Sequence, residues 1–369
     1  MKKSLLCLTL FSVVLLSFAF AQAETVKIGV VGPLTGPVAI GGIETRNGLE
    51  LAKDEINKKG GVPGIGPFEL IYEDDKCVPP ESVNAVTKLV YRDKVLAVIG
   101  TVCSSATLAG MVVTEKAKTP QIVTVATSPA ITEKGNPWIF RTCLVDSLRA
   151  EALAEFAAKT LKVKNVAIIH DADDYGKDGA DAFVAKFKTL NIPVKVNESF
   201  NRKDIDFSGQ LMKVKNSGAD VVVVWGQPEE SSLVLKQIKD MDLNVKVMGG
   251  DAMSNPRTLE LAGPATEGAF SAIEFVRTDK SPAIQEFVKK YESRFHAQCD
   301  NLGSNAYEAL YMLSHAIAKS GLDKEKLRNT LLNTKFEGVT GTIAFNKNGD
   351  NIKKPQIVII KGGTVYKYE

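Results

Sequence analysis

The sequence predicts an α/β protein of two similar lobes, each organised around a parallel-type sheet, and three observations carry that prediction. From Val26 onward, short β-branched runs alternate with longer stretches of helical periodicity, the rhythm of a parallel sheet whose strands are joined by helices. The rhythm pauses at FRTCLVD (140–146) and then restarts. Four consecutive valines, Val221 to Val224, show no inside–outside alternation, as a strand buried on both faces requires. Length agrees with two domains: 369 residues, 44% apolar and 24% charged, can build two cores and exclude a disordered tail, a disulfide-stapled mini-protein or a collagen-like repeat.

Residues 1–23 stand apart. Lys2 and Lys3 precede an apolar run from Leu5 to Phe20, and Ala21-Gln22-Ala23 supplies an A-x-A cleavage site, so the segment reads as a secretory signal and the mature chain begins at Glu24. The run is short for a membrane span of about 20 residues. Cys7 lies behind Leu5 and Leu6, without the small residue a lipid-attachment cysteine needs before it. The first series of strands is then VKIGVVG (26–32), FELIYED (68–74), VLAVIG (95–100) and PQIVTV (120–125), with helical stretches near 43–58, 81–91 and 105–117. The second is NVAIIHD (165–171), VKVNESF (194–200), DVVVVWG (220–226) and VKVMGGD (245–251). Helical patterns dominate from Pro282 to Leu332, and two strand-like runs, VTGTIAFN (339–346) and QIVIIKGG (356–363), close the chain. No Gly/Ser-rich or Pro-rich linker separates the halves, so the crossings between lobes are expected to be ordered hinges rather than tethers.

Forty-six basic residues stand against 43 acidic ones, and loss of Lys2 and Lys3 leaves the mature chain nearly neutral; nothing attracts a polyanion, and nucleic acid is not an expected partner. Export leaves Cys77, Cys103, Cys143 and Cys299 in an oxidising compartment, where an even count permits disulfides but spacing alone cannot pair them.

Open parallel sheets bind ligands beyond the carboxyl ends of their strands, where loops lead into helix N-termini. After VLAVIG comes TVCSSATLAG with Ser104, and after PQIVTV comes ATSPAITEKG with Thr127, two hydroxyl-rich cradles suited to a carboxylate. Ser and Thr are also favoured helix caps, which is the plainer use for them. The second lobe offers Tyr175 in DADDYG and Asp251 after VKVMGG, an aromatic surface and an acid that suits an ammonium group; a lone Asp is more commonly a solvated loop carboxylate. Trp225, closing the valine run, either lines a cleft or fills the core. The stretch 171–182 imitates a calcium loop at Asp171, Asp173 and Gly176 but fails at Tyr175 and Ala182, so no metal is expected. Gly29, Gly32 and Gly36 do not form G-x-G-x-x-G, no P-loop occurs, and no cofactor is expected. Cys103 beside Ser104 and Ser105 is the only candidate nucleophile elbow, and His170, His296 and His315 lack a local nucleophile signature, which argues against an enzyme.

Taken together, VKIGVVGPLTGPVAIGG, LAKDEINKKGGV, DDKC, IGTVCSSAT, ATSPAITEKG, IFRTCLVD, IIHDADDYGKD and KVMGGDAMSN resemble, in order and spacing across the whole mature chain, the periplasmic branched-chain amino acid (leucine/isoleucine/valine) binding proteins of ABC transporters. The resemblance implies a type I periplasmic binding fold of two Rossmann-like lobes with three hinge crossings, lobe 1 comprising 24–144 and 276–349 and lobe 2 comprising 145–275 and 350–369. It further implies a monomeric periplasmic protein that closes on an apolar amino acid and presents it to a membrane permease. Ser104 and Thr127 match the residues that hold the ligand carboxylate, and the backbone at Val125 and Ala126 matches the segment that accepts from the ammonium group. Asp251 matches the acidic ammonium partner, Tyr175 a second-lobe tyrosine, and Cys77 with Cys103 the disulfide; Cys143 and Cys299 are expected free. The sequence departs from the family in having Asp at 251 where Glu is familiar, Gly41 in place of an aromatic ring, and no tyrosine in VVVVWGQPEE. Gly41 implies a roomier pocket mouth. Another carboxylate or amide solute, such as an aromatic acid, is the alternative ligand within this fold, and a secreted α/β hydrolase is the alternative of another class.

Overall fold

The computed structural model describes residues 24–369, so the expected signal segment lies outside the described residues. Five strands, β1 (Val26–Gly32), β2 (Phe68–Asp74), β3 (Ala97–Ile99), β4 (Gln121–Val123) and β5 (Ile139–Arg141), form one all-parallel sheet in the order β2-β1-β3-β4-β5. A second sheet is parallel through β6 (Val166–Asp171), β7 (Val194–Phe200), β8 (Val221–Trp225), β9 (Lys246–Gly249) and β10 (Phe270–Ile273). After a separate hairpin of β11 (Lys335–Gly338) and β12 (Gly341–Ala344), β13 (Gln356–Lys361) and β14 (Thr364–Lys367) complete it in the order β14-β13-β10-β9-β8-β6-β7.

Those last two strands run antiparallel, a feature that the expectation of parallel sheets leaves out. Gly362 and Gly363 both take positive φ, 55° and 71°, and so make the two-residue turn that folds β14 back on β13. The run 339–346 is likewise not one strand: residues 339 and 340 form the turn of the β11–β12 hairpin, with Gly341 at φ 95°.

The valine run behaves as its lack of alternation implies. Val221 and Val223 pack with Phe183 and Phe187 on one face of the sheet, while Val222 and Val224 pack with Leu211, Val214 and Leu235 on the other. In the first sheet, Ile28 and Val30 face Leu49, Leu310 and Leu313, whereas Val31 and Val98 face Val86 and Leu89. Helix Asn301–Ser320, from the C-terminal part of the chain, thus completes the core begun by the N-terminal strands, lying against helix Ala39–Lys58. These two helices meet backbone to backbone: a Cβ on Gly48 would stand 2.1 Å from the carbonyl oxygen of Gly303.

The chain passes between the two sheets after β5, after β10 and after β12. The first and last passages are tied together, because the buried Arg141 pairs with Asp350 at 2.6 Å and Asn351 Nδ2 donates to the Thr142 carbonyl at 2.6 Å. Cleft geometry is therefore set by a cross-linked base rather than by free linkers.

Candidate functional site

A cleft enclosing about 600 Å³ of atom-free space, including its open mouth, lies between the carboxyl ends of the two sheets. Six sequence-predicted residues line it: Ser104, Val125, Ala126 and Thr127 on one side, Tyr175 and Asp251 on the other. Each sits where a strand ends and a helix or turn begins, which follows from the parallel topology.

Ser104 is the first residue of helix Ser104–Lys116, after the Cys77–Cys103 disulfide, whose Cα atoms are 5.5 Å apart. No side chain caps this helix, and the Ser104 hydroxyl instead accepts from the Ser128 backbone N–H at 3.3 Å. Its role as a simple cap is thereby removed. Thr127 Oγ1 donates to Asp146 Oδ2 at 2.8 Å. The Ala126 carbonyl accepts from Arg141 Nη1 at 3.3 Å. A helix N-terminus with buried hydroxyls gives this wall a positive, donor-rich character that suits a carboxylate.

The opposite wall is acidic. Tyr175 opens helix Asp174–Thr189, capped by Asp173, and its hydroxyl donates to Asp251 Oδ1 at 3.2 Å. Trp225 is not among the lining residues: it is wholly buried, its ring packs on Phe183 at 5.2 Å, and it stands behind Gly250, where a Cβ would come within 3.0 Å of it. Its structural part is to back the Tyr175–Asp251 wall.

Three ionisable residues that sequence reasoning missed complete the site. Arg149, fully buried, sits 3.8 Å from Asp251, and its Nη2 is 3.1 Å from Glu274. Glu274 also accepts from Asn305 Nδ2 at 2.6 Å, linking the end of β10 to a first-lobe helix. Asp146 is buried beneath Thr127. Burial pushes the Asp146 carboxyl up to about 8, with the Asp251 charge adding to it. Burial opposes the charge on Arg149, but Asp251, Glu274 and Asp146 outweigh it and push its pKa up. Burial, then the Asp251 charge, also pushes the Tyr175 phenol up, so it serves as a donor. The one local signal for these residues is the pair Asp146 and Arg149, a turn apart in the otherwise apolar face of DSLRAEALAEF.

Apolar side chains, among them Val38, Val102 and Leu302, also line the cleft, together with Glu229. Gly41 lies beside them, but a Cβ there would stand 3.3 Å from both Leu302 and Val102. Neighbouring side chains therefore already occupy part of the room that the glycine was expected to open. The two lobes touch across the cleft, through Ser128 donating to Asp178 and through Asn255 Nδ2 donating to Asp300 at 2.9 Å. Cys143 and Cys299 are buried and unpaired with each other, their thiols pushed up by burial. Among the described residues no helix is long and apolar enough to cross a membrane, and no cluster of three or more His, Cys, Asp or Glu forms a metal site.

Comparison with known proteins extends the same picture. The family profile described as "Periplasmic binding protein" matches residues 25–363. A leucine-, isoleucine-, valine-, threonine- and alanine-binding protein of Pseudomonas aeruginosa is 33% identical over 329 residues, 89% of this chain and 87% of that protein. Among solved structures, a leucine binding protein from Thermotoga maritima superposes with a TM-score of 0.87 at 30% identity, covering 93% of this chain and 98% of that one. A branched-chain amino acid transporter substrate binding protein from Streptococcus pneumoniae, in complex with isoleucine, superposes with a TM-score of 0.85 at 26% identity, covering 94% and 100%.

Proposed function

We propose, because this chain belongs to the periplasmic binding protein family, that it is the non-enzymatic solute receptor of an ABC importer and binds an apolar, branched-chain amino acid in its interlobe cleft. The family is periplasmic, and the signal at residues 1–23 is the proposed route of export, releasing a monomer that begins at Glu24. Hinges at 144/145, 275/276 and 349/350 let the lobes close. The α-carboxylate is held by Ser104, Thr127 and the N-terminus of helix Ser104–Lys116; the ammonium sits between the Val125–Ala126 backbone and Asp251 with Tyr175; the side chain packs on the apolar wall. Trp225 contributes by backing that contact. The closed form presents both lobes to the permease, and ligand binding favours it by its differential affinity for that state.

One observation carries the reading: hydroxyls at a helix N-terminus and a carboxylate face each other across one buried cleft, matching the two poles of a zwitterion. A buried charge without a partner costs several kcal/mol, so both poles must be matched for tight binding. Thermal shift and calorimetry of the mature protein against the twenty amino acids and 3,4-dihydroxybenzoate test it. Leucine, isoleucine and valine are expected to stabilise the protein most, by about 2.7 kcal/mol at 100 times their Kd. Asp251→Ala is expected to weaken them by about two to four decades, the loss of one partner from a buried pair. Stabilisation by the aromatic acid alone, or equal affinity in Asp251→Ala, overturns the assignment.

A further inference from the structure

Several packed elements bring ionisable groups around Asp251; helix Pro228–Asp240 brings Glu229, which lines the same cleft and is paired with Arg257 at 3.5 Å. Helix Asp146–Phe156 brings Asp146 and Arg149, helix Asp174–Thr189 brings Tyr175, the end of β10 brings Glu274, and the first crossing brings Cys143. Asp300 lies beyond Asn255, where it accepts from the backbone N–H groups of Leu302 and Gly303. Arg141 is committed to Asp350. Burial holds the Tyr175 phenol and the Cys143 thiol neutral, and Asp146, pushed up to about 8 by burial, is mostly protonated at pH 7. Asp251 and Glu274 share one guanidinium, at 3.8 Å and 3.1 Å, and beyond Asn255 the buried Asp300 is a further acid that the Asp251 charge reaches.

We infer that Arg149 and Glu274, neither of which lines the cleft, set the charge that the cleft demands of its ligand: two carboxylates share one guanidinium, so the site is one positive charge short until an ammonium group enters beside Asp251. The inference rests on the reading of Asp251 given above and adds a specificity rule to it. Arg149 alone would neutralise Asp251, and the site would then accept a carboxylate ligand with no ammonium. Glu274 prevents this by drawing the guanidinium to itself, and its second bond, from Asn305, fixes it at the base of the cleft. Both are positioning residues: they act on the ligand through Asp251.

Leucine and 4-methyl-2-oxopentanoate, which share a carboxylate and a side chain and differ at the ammonium, are the probes. Calorimetry on the mature protein at pH 7 gives the ratio of their affinities, and the parent is expected to favour leucine. Glu274→Gln keeps the shape and an amide oxygen for Asn305 but removes one negative charge, so the ratio narrows at least tenfold, with the oxo acid gaining in absolute affinity. Glu274→Asp keeps the charge on a shorter stem and holds the ratio within about threefold of the parent, a result that a purely structural role would reverse. If Glu274→Gln does not fold, Arg149→Lys is expected to keep the ratio and Arg149→Gln to widen it. An unchanged ratio in Glu274→Gln, equal narrowing in Glu274→Asp, or equal ratios in the two Arg149 variants overturns the inference. Failure of the parent to bind any amino acid overturns the reading of the site instead, and this rule with it.

Discussion

Asp146→Asn isolates the cost of an acid buried beneath the Thr127 loop of the cleft. Asp146 opens helix Asp146–Phe156, is wholly buried, and accepts from Thr127 Oγ1 at 2.8 Å through one oxygen, while the other has no partner among the described residues. Burial pushes its pKa to about 8, against about 3.9 for an unfolded Asp. The folded-state pKa is raised, so the stability gained by holding the proton is fully present below pH about 4 and is lost as the pH rises toward 8. An amide keeps an acceptor for Thr127 and has nothing to ionise. The stability of the variant relative to the parent is therefore expected to grow by about 1.4 kcal/mol per pH unit in that window, or about 3 kcal/mol between pH 5 and 7, and to level off above 8. Urea unfolding of both proteins by circular dichroism at pH 5, 6, 7 and 8.5 reads that gap. A gap independent of pH would show that Asp146 is ionised at neutral pH, and would remove it from the neutral groups counted around Asp251.

Reduction of Cys77–Cys103, or the double change to Ala, opens a loop of 26 residues' separation and is expected to cost about 3 kcal/mol in thermal unfolding with and without reductant. It should also weaken ligand binding, because Cys103 immediately precedes Ser104; unchanged affinity in the stable remainder would separate the bond from the site. Gly48→Ala places a Cβ 2.1 Å from the Gly303 carbonyl oxygen and is expected to destabilise by about 1–3 kcal/mol despite the better helix propensity of Ala. Gly209→Ala, on an exposed helix with nothing within 4 Å of the added carbon, is expected to stabilise by up to about 1 kcal/mol, and equal effects at the two positions would refute the close-approach argument.

The contrast between those two glycines shows what a sequence read alone conveys. Periodicity is a local property, so the long strands β1, β2, β6 and β7 and the doubly buried β8 are legible, as are the loops that follow them and carry Ser104, Thr127, Tyr175 and Asp251. The short strands β5 and β10 go unseen, whereas the equally short β3, β4 and β9 are legible because each lies within a longer apolar, β-branched run, VLAVIG, PQIVTV and VKVMGGD. That omission hides the charge network, because Glu274 follows β10 and meets Arg149 across 125 residues of sequence and Asn305 across 31. Nothing in the local pattern of either segment marks a partner; only the order of strands in the sheet brings β10 beside the helix that carries Arg149. Trp225 fails for the related reason that a strand's last residue can point into the cleft or behind it, and the close approach at Gly250 decides which. The predicted residues that line the cleft sit at strand ends, where fold class places them, whereas the charged residues packed behind them come from elsewhere in the chain and become visible only once the sheet is assembled.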